Sequence, residues 1–117
     1  MNDNIIYEKS VEFSIRIVKL YKYLSEDKKE FVLSKQILRS GTSIGANISE
    51  ANYAQSRSDF VSKLQIALKE TAETEYWLNV FCKSDYINEK MFNSLIDNCL
   101  EIKKLLVSSI NTSKAKL

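Results

Sequence analysis

Three carboxylates, Glu70, Glu73 and Glu75, crowd into six residues, and Glu50 lies upstream. A helical bundle could use such a group to hold a metal or move a proton. A ferritin-like di-iron centre needs two Glu-x-x-His pairs, and the chain has no histidine. The same lack removes the commonest general base and the usual partner of a nucleophilic Ser or Cys. Glu70 and Glu73 sit one turn apart with no cation between them in the chain, which solvated side chains tolerate at small cost. In a second reading, Glu73 makes a structural contact with Arg39 or Asn47. Gly41-Thr42-Ser43-Ile44-Gly45 lacks both the preceding strand and the Gly-Lys-Ser/Thr ending of a phosphate loop. No catalytic, cofactor-binding or metal residue is assigned.

Basic residues offer a different chemistry. Arg16, Lys19 and Lys22 fall on one side of the first helix, interleaved with Tyr21 and Tyr23, while Lys103, Lys104, Lys114 and Lys116 gather toward the end. Lys and Arg exceed Asp and Glu by only 17 to 15, too even a balance to imply nucleic acid by itself. These side chains are either solvated surface or RNA or DNA contacts. The second reading gains weight in an oligomer, where symmetry copies a weak patch into a collective field.

The elements that must position these groups are helices. The chain has 117 residues, no proline, two glycines and 44% apolar residues, the profile of a single, mainly helical domain. Ile6, Ser10, Phe13, Ile17, Leu20 and Leu24 form a heptad seam over about 4–24. Beside it, Val11, Ile15 and Val18 widen the apolar face beyond what one neighbour needs, marking either an edge of the core or a subunit interface. Ser25-Glu26-Asp27-Lys28-Lys29-Glu30 reads as a short connection plus the first turn of a second helix over about 28–53, whose N-terminal dipole the acidic residues suit. The third, over about 58–83, buries Phe60, Leu64, Ala67, Thr71, Leu78 and Phe81, with Ser56 or Ser58 as its cap. Asn88 caps the fourth, over about 88–110, where Phe92, Leu95, Cys99, Ile102 and Leu106 repeat the heptad. The tail from Asn111 is expected to fray. Four such helices with short connections specify an all-α, antiparallel up-down-up-down four-helix bundle.

The second helix sets the packing problem. Ile37, Ile44, Ile48 and Ala51 keep helical phase through Gly41 and Gly45. Each glycine costs roughly 1 kcal/mol relative to alanine, so another helix is expected to come close there. The same helix carries a polar row, Gln36, Arg39, Ser43, Asn47 and Glu50. It is either a solvated face or a paired, register-fixing contact with a neighbouring helix or subunit.

Cys82 and Cys99, the only cysteines, sit in apolar helical patterns and are expected as buried thiols rather than a disulfide. The opening Met1-Asn2-Asp3-Asn4 lacks the basic flank and apolar run of a signal peptide, and no stretch reaches a membrane span of ~20 apolar residues. A cytoplasmic protein is expected.

The block from Gln36 to Ala51, with Ser43-Ile44, Ala46-Asn47-Ile48 and Glu50, is followed by Ser58-Asp59-Phe60, Leu64, Ile66-Ala67 and Glu73. It resembles the bacterial 23S rRNA intervening-sequence proteins. The signature Arg-x-x-x-Ser-Ile-x-x-Asn-Ile-x-Glu runs from Arg39 to Glu50, and the resemblance covers nearly the whole chain. It implies a four-helix bundle that assembles into a homopentameric ring with no established enzymatic activity. The chain is also similar to the accessory variability protein of diversity-generating retroelements, a basic pentameric bundle that binds nucleic acid and a reverse transcriptase. Ala51 replaces the family's usual Gly and the proline near the second helix's start is missing, two changes that favour helix continuity. The expected function is a non-enzymatic homo-oligomeric scaffold or adaptor with weak nucleic-acid association. Its packing and oligomer residues would be Gly41, Ile44, Gly45, Asn47, Ile48 and Glu50. The alternative is a dedicated RNA- or DNA-binding accessory protein using Arg16, Lys19, Lys22, Lys103 and Lys104.

Overall fold

A computed structural model describes residues 3–117; Met1 and Asn2, on which the reading of the leader partly rests, lie outside them. Four helices follow in order: α1 (Asp3–Lys22), α2 (Leu33–Ala51), α3 (Arg57–Lys83) and α4 (Glu89–Lys114). No strand is present among the described residues. Each helix packs on its neighbours in sequence and α4 closes against α1, so the order around the bundle is that of the chain. The rod measures 46 × 21 × 19 Å.

The heptad of α1 is fully realised: Ile6, Ser10, Phe13, Ile17, Leu20 and Leu24 are all buried. From α3 and α4 come Leu64, Ala67, Leu78, Phe81, Leu95, Cys99, Ile102 and Leu106. Each large apolar side chain so removed from water contributes about 1.5–3 kcal/mol. Thr71 and Thr74 reach this core by hydrogen-bonding backward to the carbonyls of Ala67 and Glu70, both at 2.8 Å. The Thr74 hydroxyl also lies 2.9 Å from that of Ser40, a buried link between α2 and α3.

The caps follow the sequence closely. Ser56 Oγ accepts from Asp59 N–H at 3.0 Å, and Asp59 Oδ2 returns to the Gln55 amide at 3.3 Å, so Ser56 rather than Ser58 starts α3. Asn88 Oδ1 accepts from Met91 N–H at 2.8 Å. Two boundaries differ from expectation. After α1 the chain continues as a π-helical turn over Tyr23–Asp27, and α2 starts only at Leu33 because Lys29 adopts a left-handed φ of 56°. Glu30 still serves the α2 N-terminus: its carboxylate accepts from Ser34 N–H at 2.6 Å and its carbonyl from Ser34 Oγ at 2.7 Å. At the other end, α4 runs to Lys114 instead of fraying at 110, held by buried Ile110 and Ser113.

The α2 helix is continuous through both glycines, which are buried. A Cβ on Gly41 would lie 2.7 Å from Ile17 Cγ1 and 2.8 Å from its Cγ2; one on Gly45 would meet Ser10 Oγ at 3.2 Å. The helix that comes close is therefore α1 of the same chain.

Candidate functional site

On the α2–α3 seam, helical spacing aims Arg39 across at two carboxylates that are themselves one turn apart. Arg39 Nη1 donates to Glu70 Oε2 at 3.1 Å and Nη2 to Glu73 Oε1 at 2.5 Å. The cation missing between the two acids in sequence is thus supplied from α2. Trp77, one turn on, donates its indole N–H to Glu73 Oε2 at 3.0 Å. Trp77 and then Arg39 hold the Glu73 carboxyl below the usual carboxylate range, and Glu70 followed by Glu73 raises the Arg39 guanidinium above its ordinary value. Both Glu73 oxygens are engaged, and the cluster reads as a clamp between helices. Glu75 pairs instead with Lys103 of α4 at 3.3 Å. Among the described residues no three His, Cys, Asp or Glu side chains gather as a metal site.

The rest of the polar row on α2 is divided. Asn47 is half-buried and donates to the Ser43 carbonyl at 2.8 Å within its own helix. Glu50 is exposed and accepts from Lys63 of α3 at 3.0 Å, which raises the Lys63 pKa. Ile44 and Ile48 are core. Five of the six packing residues therefore hold α2 between α1 and α3, while Asn47 bonds only within its own helix. Their close contacts within the subunit account for the two glycines without a partner chain.

The five candidate nucleic-acid residues do not form one patch. At 3.6 residues per turn, Lys22 stands about 120° round the helix from Arg16. Arg16 turns to α4, donating from Nη1 to the Ser94 carbonyl at 3.2 Å and to Asn98 Oδ1, and from Nη2 to Ser94 Oγ at 2.8 Å. Lys103 is held by Glu75 on α3, and Lys104 is exposed on α4. Lys19 and Lys22 are exposed and border the α1–α2 surface.

That surface is where the second apolar row of α1 emerges. Tyr7, Val11, Ile15 and Val18 are 39, 38, 51 and 37% exposed, outside the buried core of the single chain. With Thr42, Gly45, Ala46 and Ser49 of α2 they line a shallow groove of about 600 Å³. Small residues on α2 set α1's larger ones in relief, leaving a channel along the axis that is apolar except for its lysine rim.

The sequence model of the 23S rRNA-intervening sequence protein family matches residues 2–108. The chain belongs to this family. One solved relative is a protein of unknown function from the S23 ribosomal protein family of Bacteroides thetaiotaomicron VPI-5482. It is 58% identical, with 95% of this chain and 99% of that one covered and a TM-score of 0.94. No curated protein matches the chain. The family signature from Arg39 to Glu50 now has a physical content: Arg39 clamps α3, Ile44 and Ile48 fill the core, and Glu50 ties α2 to Lys63. Trp77's bond to Glu73 and the Ser40–Thr74 link were missed in sequence. The first was legible as a Glu–Trp pair at i, i+4; the second needed the crossing of two helices.

Proposed function

We propose that this member of the intervening-sequence protein family is a non-enzymatic, cytoplasmic scaffold that self-associates through the α1–α2 groove. The observation that carries the reading is the row Tyr7, Val11, Ile15 and Val18, left exposed although it keeps strict helical phase beside a buried heptad. A strip about 16 Å long and one helix, ~10 Å, wide covers about 160 Å², far short of the ~800 Å² per partner of a stable interface, so other surface must join it. A ring built head to tail uses two different patches. Ile66 and Tyr76, exposed on α3 at 40 and 58%, supply apolar area on the helix diagonal to α1. The family resemblance supports five copies. The absence of histidine and the engagement of Glu70, Glu73 and Glu75 in ion pairs support a non-catalytic role.

Replacing Ile15 by Glu places a charge in the middle of the row, and native mass measured beside the parent chain tests the reading. Dissociation to folded single chains is expected; an unchanged native mass would remove the groove from the interface. Weak nucleic-acid association belongs to the same proposal, with Lys19 and Lys22 repeated around the ring as its contacts. Binding to structured RNA and duplex DNA should then fall steeply with salt, by about 0.9 log unit per phosphate contact per tenfold salt on duplex DNA. Retention unaltered by Lys19→Glu with Lys22→Glu would exclude those two residues as contacts.

A further inference from the structure

At the end of the bundle where α1 begins, the four helices leave a cavity of about 560 Å³. It shares no residue with the α1–α2 groove, and its volume falls in the range that holds small organic ligands. Its lining is mixed: Ile6 is buried there with half-buried Phe60 and Leu105 beside it, and hydroxyl side chains make up much of the rest. Arg57 and Lys116 are exposed at the outer edge, and no Asp or Glu lines the cavity. Neither cation forms an ion pair among the described residues.

The α4 wall is unusual for a bundle interior. Ser109 and Ser113 stand where the heptad Phe92, Leu95, Cys99, Ile102 and Leu106 would next bring apolar side chains, and exposed Ser108 and Thr112 line the mouth beside them. Ser113 is 8% exposed. The other five buried hydroxyls, on Ser10, Ser34, Ser40, Thr71 and Thr74, each find a partner within the chain. Ser113's does not among the described residues, and no side-chain polar atom fully closed off from solvent lacks a bond. Its hydroxyl therefore opens onto the cavity. Open to the cavity, that hydroxyl is free to bond whatever fills it, water or a ligand. Across the cavity, Arg57 opens α3, where the positive end of the helix dipole is already shared with the Ser56 cap and the Asp59 carboxylate.

We propose that this cavity binds a nucleoside phosphate: the phosphate between Arg57, Lys116 and the start of α3, the sugar and base edges on the α4 hydroxyls, and the base against Phe60 and Leu105. Each part of the lining has its counterpart in such a molecule. An inorganic anion leaves the apolar surface unused, and an apolar ligand leaves the cations and Ser113 unused.

The test is calorimetric titration of the full chain with adenosine 5′-monophosphate, adenosine and inorganic phosphate. The monophosphate should bind at least about tenfold more tightly than either fragment, the factor expected of one charge-assisted hydrogen bond. Arg57→Glu and Lys116→Glu should each weaken it by about tenfold, and Ser113→Val should weaken it with native mass unchanged. A 5′-phosphorylated oligoribonucleotide then separates the two sources of this chemistry. Displacement of the monophosphate points to an RNA end, and retention points to a free nucleotide. If the monophosphate binds no better than phosphate, or if Ser109→Phe, which fills the cavity, leaves its affinity unchanged in a folded protein, the proposal is overturned. The groove reading stands or falls separately, because neither Ile15 nor its neighbours line this cavity.

Discussion

Gly41→Ala adds a single methyl group, yet it should destabilise the protein. The new carbon would lie 2.7 and 2.8 Å from two carbons of Ile17, where unstrained contacts lie near 3.5–4.0 Å. Relief needs a movement of roughly 1 Å. Ile17 cannot give it, because it is fully buried and β-branched residues in helices are confined to essentially one rotamer. Overpacking of this kind costs about 1–3 kcal/mol, and the gain in helix propensity returns about 1 kcal/mol. The net loss should be up to about 2 kcal/mol, read as a lower urea midpoint at constant slope. Gly45→Ala meets only the Ser10 and Ser14 hydroxyls, at 3.2 and 3.4 Å, and should lie within about 1 kcal/mol of the parent. A double-mutant cycle isolates the contact: Ile17→Ala removes both crowding carbons, so it should cost less in the Gly41→Ala background than alone, by about 1–2 kcal/mol. A Gly41→Ala protein more stable than the parent, or a cycle with no coupling between the two sites, would refute the close crossing of α1 and α2.

Glu73 is held below its ordinary pKa by Trp77 and Arg39. Its stabilising contribution is therefore present above the unfolded carboxylate value of about 4.3 and is lost as pH falls through the lower folded value. Glu73→Gln should lower the melting temperature near neutral pH, by the equivalent of up to about 1 kcal/mol for so exposed an ion pair. That gap should close in acid, and a gap that stays constant down through the carboxylate range would disprove the clamp. Asn88→Ala removes the α4 cap and should cost about 1 kcal/mol in urea denaturation; no change would mean that the Met91 amide finds another partner. Burial pushes the Cys99 thiol up to about 12, so a thiol reagent at mildly alkaline pH should modify half-buried Cys82 first and reach Cys99 only at the rate of unfolding. Equal rates at both would contradict the core packing around Cys99.

The fold was legible because α1 and α4 carry long, uninterrupted heptads and because helical phase survives Gly41 and Gly45. Apolar periodicity records a buried stripe directly. What periodicity does not record is which neighbour faces a polar side chain. Arg16 sits three residues from Lys19 in the chain, yet it turns to Ser94 and Asn98, and Lys103 is drawn away from Lys104 to Glu75. The expected start of α2 is too early because the acidic residues before it suit a helix N-terminus wherever it begins; the left-handed Lys29 in the connection to α1 moves that start to Leu33. The α1–α2 groove was half visible. Val11, Ile15 and Val18 stood out as surplus apolar residues, but only the packed helices exclude them from the monomer core.

Self-association through that groove is the central claim, and sedimentation velocity of the native chain over a dilution series in the micromolar range tests it most directly. The account predicts a species several times the 13.5 kDa of one chain, fivefold for the expected ring, that persists on dilution. A single species of one chain's mass at every concentration would contradict it.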